Sequence, residues 1–267
     1  MKRFTASAVL AVAFLAMSAG SVFAAEGLQV GVRAGYNYNL FTITPPKGKT
    51  VQSDNGMGGE VSLSVRYVLV PDLFSVVLEP SFGYRTIGSW SYNSTAVDTI
   101  EGYWNLADIG HPVWVDDAGE VDVAIKQTYG LSEFRISLPL LFQFAWQDRY
   151  YGIIGAQVGV PVATTLDYTF KKTSDDKKVD TSFTTSKALS DMNWKDGWEF
   201  MLERSGVDVD LVIGAGYMFA PNFGVDVRYI YSIIEPLKYN VAVKGKAISG
   251  DFPTSIMSAS IGLSVYF

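Results

Sequence analysis

The feature that most constrains this chain is a strict alternation of apolar and polar residues that returns eight times along it. From Leu28 to Leu40, every even position is apolar or aromatic, and the odd positions carry glutamine, glycine, arginine and asparagine. Successive side chains of a β-strand point to opposite faces, so a period of two gives each strand one apolar and one polar face. The other seven segments cover residues 60–67, 74–85, 133–144, 150–162, 207–219, 223–231 and 257–267.

The lengths of the segments and of their connections indicate a membrane barrel. Roughly ten residues are enough for a tilted strand to cross a bilayer. Short connections and long ones alternate, which is typical of outer-membrane barrels with short periplasmic turns and long external loops. The short connections are 70–73, 147–149 and 220–222, and the long ones are 41–58, 86–130, 164–206 and 232–254. We therefore predict an all-β fold, an eight-stranded antiparallel up-and-down transmembrane β-barrel with long extracellular loops, closed by pairing of its first and last strands.

The amino terminus has the three parts of a secretory signal peptide. Two basic residues precede an apolar run from Ala6 to Ala16, and small residues end at Val22-Phe23-Ala24. This run is too short to favour a membrane-spanning helix, and no later apolar run approaches 18 residues. We expect residues 1–24 to be a signal peptide and residues 25–267 to form one barrel domain in the outer membrane of a Gram-negative-type bacterium.

Charge and cysteine content exclude several classes of function. Without Lys2 and Arg3 of the signal, 19 of the 21 lysines and arginines remain against 27 aspartates and glutamates, a formal charge of −8. So acidic a chain is not expected to bind nucleic acid. Cysteine is absent, so disulfides and thiol chemistry are excluded.

The polar positions of the segments indicate that the polar face points inward, whereas a soluble barrel would place its charges outside. Acidic and basic residues are nearly balanced over most segments, and in a narrow lumen they would pair, because an unpaired buried charge is costly. Neighbouring glycines and serines would leave room for the arginine side chains. The predicted ionic network of the lumen comprises Arg33, Glu60, Arg66, Glu79, Arg85, Glu133, Arg135, Asp208, Asp210, Asp226 and Arg228.

Aromatic residues mark both ends of the apolar face, as in the two aromatic girdles of a membrane barrel. The group near the short turns is Tyr67, Phe74, Phe144, Tyr150, Phe219, Phe223 and Phe267, and the group toward the loops is Tyr36, Tyr38, Tyr84, Phe134, Tyr229 and Tyr231.

Three local features carry further predictions. Pro80 and Pro139 lie inside predicted strands and lack an N–H donor, so we expect bulges there. Residues 166–172 and 178–184 are predicted to pair as a hairpin. Trp194, Trp198, Met201 and Leu202 have helical spacing, which predicts a short amphipathic helix capped by Ser190 or Asp191 and stopped by Gly206.

Four strand motifs resemble successive strands of the PorT-like outer-membrane β-barrel domain family, related to the small OmpA- and OmpX-like barrels. They are LEPSFGY at 78–84, ISLPLL at 136–141, GIIGA at 152–156 and VIGAGY at 212–217. The final SIGLSVYF is similar to the terminal signal that the barrel-assembly machinery reads, and this resemblance assigns Ser260, Gly262, Val265 and Phe267 to that signal. The family resemblance implies an outer-membrane location and no particular activity.

The sequence assigns no catalytic residue, ligand-binding residue, metal site or cofactor. His111 is the one histidine, and spacing pairs it with no serine or acid. The second long connection is acidic, with Asp98, Glu101, Asp108, Asp116, Asp117, Glu120 and Asp122, but it lacks the glycine-centred repeat of a calcium loop.

We therefore expect a non-enzymatic envelope protein with a plugged lumen. Its expected role is structural support of the envelope or binding of an external ligand or surface through the loops. The expected partners are outer-membrane lipid, the assembly machinery and an unidentified external ligand or protein. Two alternatives stay open, a narrow pore for small solutes and a lipid-modifying enzyme that uses His111.

Overall fold

The computed structural model describes residues 27–43, 51–96, 104–105, 112–113, 123–147, 149–174, 181–189, 198–243, 246–247 and 254–267. The predicted signal peptide, His111 and the acidic residues from Asp98 to Asp122 lie outside these ranges. The strands are β1 (Leu28–Ile43), β2 (Val51–Val70), β3 (Phe74–Leu78), β4 (Ser81–Ala96), β5 (Trp104–Asn105), β6 (Pro112–Val113), β7 (Val123–Trp146), β8 (Tyr150–Ser174), β9 (Thr181–Ala188), β10 (Trp198–Arg204), β11 (Asp208–Ala220), β12 (Phe223–Ser232), β13 (Leu237–Val243), β14 (Lys246–Ala247) and β15 (Thr254–Tyr266). No helix in the described ranges is long and apolar enough to cross a membrane.

Eight strand positions form a closed antiparallel ring. β1 pairs with β2, which pairs with β3 and β4; these pair with β7, and β8, β11, β12 and β15 follow in order. The ring closes because β15 also pairs with β1, from Gly31 opposite Tyr266 to Ile43 opposite Thr254. β3 and β4 occupy one position of the ring, separated by Glu79 and Pro80. The predicted all-β antiparallel architecture and the pairing of the first and last strands are confirmed.

The outward face of the ring is apolar, as the alternation predicts. Along β7, Ile136, Leu138, Leu140 and Phe142 are all exposed, and the residues between them are buried. Exposed rings lie at both ends of this face, for example Phe144 near the short turns and Phe134 toward the loops. A large exposed apolar surface of this kind is stable only against hydrocarbon.

Several strands are longer than the sequence predicted. β2, β4, β7 and β8 continue well beyond the eight predicted segments, and β9 adds to β8 from Thr165 opposite Ala188 to Lys172 opposite Thr181. The hairpin expected from residues 166–172 and 178–184 is therefore present, with different bounds. Parts of the four predicted long loops are therefore strands, some of which extend the sheet of the ring and others of which form separate small sheets.

Where this extension begins, the apolar residues change from the outward face of the strands to the inward face. On β7, the outward residues are apolar up to Phe134, but beyond it Thr128 and Lys126 point outward. On the inward side of the same stretch, Leu131 and Tyr129 are buried. A sheet with water on its outer face buries the opposite face. The inversion therefore marks the level at which the strands leave the acyl chains.

Two local predictions are wrong. Pro139 pairs with Gln157 without a shift, and the register of β2 with β3 and β4 runs on through Pro80, so neither proline makes a bulge. Each proline accepts a bond through its carbonyl, Pro80 from Leu63 at 3.0 Å and Pro139 from the Glu79 N–H at 3.0 Å. The shift in β7–β8 pairing lies instead between Phe134 and Arg135.

The helix predicted for 194–202 is also wrong in its described part. Trp198–Arg204 is β10, paired antiparallel with β13 from Trp198 opposite Val243 to Arg204 opposite Leu237. Residues 190–197, with the predicted caps, lie outside the described ranges. β10 and β13 continue the β11–β12 hairpin after an interruption in both strands. Pairing between distant segments therefore prevails over the local helical spacing of Trp198, Met201 and Leu202.

We predict that a charge on the outward face of the ring is tolerated only near its ends. Leu140→Arg, in the middle of the apolar face, should lower the free energy of unfolding by about 3 kcal/mol, because the guanidinium would face hydrocarbon. Leu73→Arg, in the exposed turn between β2 and β3, should lower it by less than about 1 kcal/mol. Urea titration of the protein refolded in vesicles measures both, and equal losses would contradict the orientation of the barrel.

Candidate functional site

The interior of the ring is the candidate functional site, because the inward residues of all its strands meet there. Ten of the eleven residues that the sequence predicted for the lumen lie in two chains of ion pairs.

The first chain joins β1, β2, β12 and the link between β3 and β4. Arg33 Nη1 lies 2.7 Å from Glu60 Oε1, and Arg33 Nη2 lies 2.8 Å from Asp226 Oδ1. Arg228 bonds the same aspartate through Nε at 2.8 Å and reaches Glu79 through Nη1. Four of these five side chains are almost fully buried, and Glu60 is 15% exposed. Two arginines thus hold three carboxylates.

The second chain joins β4, β7 and β11. Arg85 Nη2 lies 2.7 Å from Glu133 Oε1 and 3.0 Å from Asp208 Oδ2. Arg135 pairs with Asp210 through Nη2 and lies 3.4 Å from Asp208 through Nε. Gln157 and Ser232 donate to Asp210 at 3.0 and 2.7 Å, so its carboxylate has three partners.

Arg204, which the alternation did not predict as a lumen residue, completes the second chain. It comes from the end of β10, outside the ring, yet its side chain is only 5% exposed. Its Nε donates to Glu133 Oε2 at 2.8 Å and its Nη1 to Asp208 Oδ1 at 2.7 Å. Nη1 also donates to the carbonyl of Pro236 at 3.0 Å. The excess of acids over arginines among the inward positions was the one signal that a further cation was needed.

Arg66 does not join either chain. Its guanidinium carbon lies 5.4 Å from the centre of the Tyr266 ring, a cation–π arrangement. Its Nε is buried without a hydrogen-bond partner. The alternation places Arg66 on the correct face but does not reveal that it lies near the turn side, away from the carboxylates.

Small residues leave room for the arginine heads, as predicted. A Cβ built on Gly159 would lie 2.1 Å from Arg135 Nε, and one built on Gly262 would lie 2.4 Å from Arg33 Cζ. At both positions the guanidinium occupies the space that a side chain would need.

A cavity of about 20 Å³ lies in the lumen and is lined by Asn37, Asn39, Arg135 and Gln157, among others. This is room for about one water molecule. Asn37 Oδ1 and Arg135 Nε are both buried without a hydrogen-bond partner.

An aromatic layer fills the interior on the loop side of the ion pairs. Trp90, Tyr129 and Tyr168 are register partners on β4, β7 and β8, with ring centres 5.4 and 4.9 Å apart. Phe41 on β1 lies 5.1 Å from Trp90, so the ring contacts extend past β2 to a fourth strand. Burial raises the pKa of Tyr168 above its ordinary range, and its bond with Tyr129 offsets this only in part. Tyr168 is therefore uncharged at neutral pH.

A second apolar cluster lies in the lumen. Its buried members are Val77, Leu141, Tyr151, Ile153, Val212 and Ile230. Tyr151 donates to the carbonyl of Val225 at 3.4 Å, which satisfies its hydroxyl. On β12, Ile230 lies on the loop side of Arg228, so this cluster fills the lumen beside the first chain of ion pairs.

The residues of the predicted assembly signal lie in the described part of the chain. Ser260 and Gly262 face the lumen beside Arg33, and Phe267 is exposed on the outward face. Their role in assembly stays a prediction. In the described part of the chain, no three acidic or histidine side chains converge as a metal site.

We predict that adding a methyl group beneath Arg135 disrupts the second chain. Gly159→Ala should lower the free energy of unfolding by about 3 kcal/mol, because the guanidinium must leave its buried carboxylates. The matched control is Gly152→Ala on the same strand, where a Cβ meets nothing within 4 Å. It should change stability by less than about 0.5 kcal/mol. Urea titration in vesicles compares the two, and losses of equal size would contradict the close packing at Arg135.

Comparison with known proteins gives one family and several remote structures. No curated protein matches the chain. Solved structures that are similar to it include the attachment invasion locus protein Ail of Yersinia pestis in complex with the heparin analogue sucrose octasulfate, at 12% identity over 90% of this chain and 99% of that chain, with a TM-score of 0.36. Neisserial surface protein A has 12% identity over 90% and 97% of the two chains, with a TM-score of 0.39. The N-terminal β-barrel domain of Pseudomonas aeruginosa OprF has 9% identity over 89% and 97%, with a TM-score of 0.26.

The family is shown by a match over most of the sequence. Residues 18–236 match the model described as an outer membrane protein beta-barrel domain. This range includes seven of the eight positions of the ring. The chain therefore belongs to the outer membrane protein beta-barrel domain family.

Proposed function

We propose that this protein is a non-conducting, non-enzymatic barrel that acts through the sheets it holds above the outer membrane, in structural support of the envelope or in binding at the cell surface. The observation that carries the proposal is the filling of the lumen by buried side chains. A solute would have to displace the Trp90–Tyr129–Tyr168 rings, two chains of buried ion pairs and the apolar cluster around Leu141 and Tyr151.

The occupied lumen argues against the pore alternative. An eight-stranded barrel has an interior just wide enough for its own side chains. Breaking one buried ion pair leaves an uncompensated charge, which costs about 3–5 kcal/mol. Opening a path through both chains would break several such pairs at once.

The pairing of the acids likewise argues against hydrolytic chemistry inside the barrel. A general base needs a carboxylate free to accept a proton. Glu79, Glu133, Asp208, Asp210 and Asp226 are each held by at least one arginine. The alternative that uses His111 depends on a residue outside the described ranges.

The conductance of the full barrel tests the proposal. We predict no discrete current steps when the refolded protein is inserted into planar bilayers, because buried side chains fill the lumen. A large porin inserted under the same conditions is the positive control, and heat-modifiable migration of the sample verifies folding. Stable unitary steps from the folded protein would favour the pore instead.

The external β10–β13 pair is attached to the barrel by Arg204. Besides the two carboxylates, this arginine bonds the Pro236 carbonyl, and Ser205 N–H donates to that same carbonyl at 3.0 Å. Leu237 on β13 is buried, and its N–H and carbonyl both bond Thr254 Oγ1. A fixed external surface is what a binding or supporting role requires.

We predict that removing the charge of Arg204 frees this external pair and leaves the ring intact. Arg204→Gln should lower the free energy of unfolding by about 3 kcal/mol, since Glu133 and Asp208 lose a buried partner. Limited proteolysis should then cut within β10 or β13 while the barrel keeps its heat-modifiable migration. Arg149→Gln, in an exposed turn where Nη1 bonds only Tyr217, is the matched control and should leave both measurements unchanged. Unchanged protease resistance of Arg204→Gln would contradict the anchoring role.

Two finer assignments extend the proposal. The strand motifs at 78–84, 136–141, 152–156 and 212–217 favour the PorT-like members within the family. The terminal residues Val265 and Phe267 favour recognition by the barrel-assembly machinery, because both lie on the outward face of the last strand.

A further inference from the structure

The outward face of the extended sheet, formed by β7, β8 and β9 above the inversion level, is unusually uniform. Its members are polar or small, and each is exposed or half-exposed. We call this surface the hydroxyl face. It consists of Lys126, Thr128, Gly130 and Ser132 on β7, Thr165, Asp167, Thr169 and Lys171 on β8, and Ser182, Thr184, Ser186 and Ala188 on β9.

The hydroxyl groups of this face lie in register across the strands. Thr128 is opposite Thr169, which is opposite Thr184, and the Oγ1 atoms of Thr169 and Thr184 are 3.1 Å apart. Neighbouring strands are about 4.8 Å apart. A hydroxyl both donates and accepts hydrogen bonds, as the hydroxyls of a sugar do. The row therefore offers a regular set of partners to a saccharide.

A pair of lysines lies two residues farther along the strands from this row, on the side away from the ring. Lys126 is directly opposite Lys171 on the neighbouring strand, and both are exposed. Within the described part of the chain, neither ammonium has an ion-pair partner. The acid of this face, Asp167, is four residues from Lys171 along β8, about 13 Å away. Like charges directly opposite each other destabilise a sheet, so this pair is unfavourable unless an anion lies between them.

The position of the face in the membrane identifies where that anion comes from. The outward positions of β7 contact acyl chains up to Phe134, and the same side of the strand continues to Lys126. Eight residues of tilted strand raise Lys126 about 20 Å above Phe134. The face therefore points sideways into the layer that stands on the acyl chains. In the outer leaflet of an outer membrane, that layer is the phosphorylated saccharide of the glycolipid.

We propose that the hydroxyl face binds the phosphorylated saccharide of the outer-leaflet glycolipid. Lys126 and Lys171 hold a phosphate group between them, and Thr128, Thr169 and Thr184 bond sugar hydroxyls. Lysine binds phosphate as a point charge and tolerates a range of approach directions. This inference rests on the proposed function, because it gives the external sheet a ligand.

Titration of the full refolded barrel tests the binding directly. The probes are the intact glycolipid, its phosphorylated oligosaccharide freed of acyl chains, the same oligosaccharide after dephosphorylation, and inorganic phosphate. The double variant Lys126→Gln/Lys171→Gln should bind the phosphorylated oligosaccharide about fivefold more weakly, the size expected for the loss of two exposed ion pairs. Wild-type affinity should fall as ionic strength rises. Dephosphorylation of the probe should remove the difference between the two proteins.

Two further variants verify that the effect belongs to this face. Lys126→Arg/Lys171→Arg keeps both charges and should keep the affinity. Lys187→Gln removes one charge from β9, where Lys187 is opposite Leu166 on the other side of the sheet, and should also keep it. Heat-modifiable migration of each variant verifies folding.

Several outcomes would overturn the inference. Equal affinity of the double variant and the wild type for the phosphorylated oligosaccharide would exclude the lysine pair. Binding of inorganic phosphate as tight as that of the oligosaccharide would exclude the threonine row. Binding of the intact glycolipid alone would assign the contact to its acyl chains. Conductance is measured separately, so a conducting barrel would contradict the proposed function without changing these titrations.

Discussion

In hydrocarbon no water is available to the backbone, so every N–H and C=O must bond within the protein, and the pairing of β1 with β15 makes this possible here. The closed ring leaves no strand edge at the level of the acyl chains. It also fixes the direction of every side chain, since each strand must then point one face at lipid and the other into a narrow lumen. The polar residues of all strands are thereby confined together, and the lumen is stable only if their charges neutralise one another. The chains of ion pairs through Asp226 and Asp208 are a consequence of closure.

The same strands meet two solvents, and the change between them accounts for the rest of the architecture. Below Phe134, β7 exposes leucine and phenylalanine; above it, the strand exposes Thr128 and Lys126 and buries Tyr129. The shift in β7–β8 register between Phe134 and Arg135 lies at this boundary, and a second shift between Thr86 and Gly88 on β4 lies close by. A bulge admits an extra residue and increases the local twist. At these positions the sheet changes from a wall of the ring into an extension that has an aromatic inner face.

The alternation predicted the strands, the ring and the inward face, because a period of two carries this information within each strand. It could not predict which carboxylate each arginine binds, since that depends on strand tilt and on the height of each residue in the ring. Arg66 points into the lumen as predicted, but it lies too near the turn side to reach the carboxylates and contacts the Tyr266 ring instead. The β10 segment shows the opposite failure. Its helical spacing is a local signal, whereas its pairing with β13 joins residues such as Trp198 and Val243 that are far apart in the sequence. Arg204 was missed for the same reason, because only that pairing brings its side chain to Glu133.

Arg204 also explains how a filled lumen and an ordered external surface depend on each other. Without Arg204, the second chain of ion pairs has two arginines for three carboxylates. Glu133 and Asp208 would then share Arg85, and Asp208 would keep only one further contact, the longer one with Arg135. The segment that supplies the missing cation lies outside the ring, so charge balance inside the barrel is reached only when β10 and β13 take their positions above it. Buried carboxylates that lack a partner are costly, and this cost opposes release of the external pair. The electrostatics of the lumen thus hold the external sheet in place, and the barrel serves as the rigid base of its own surface.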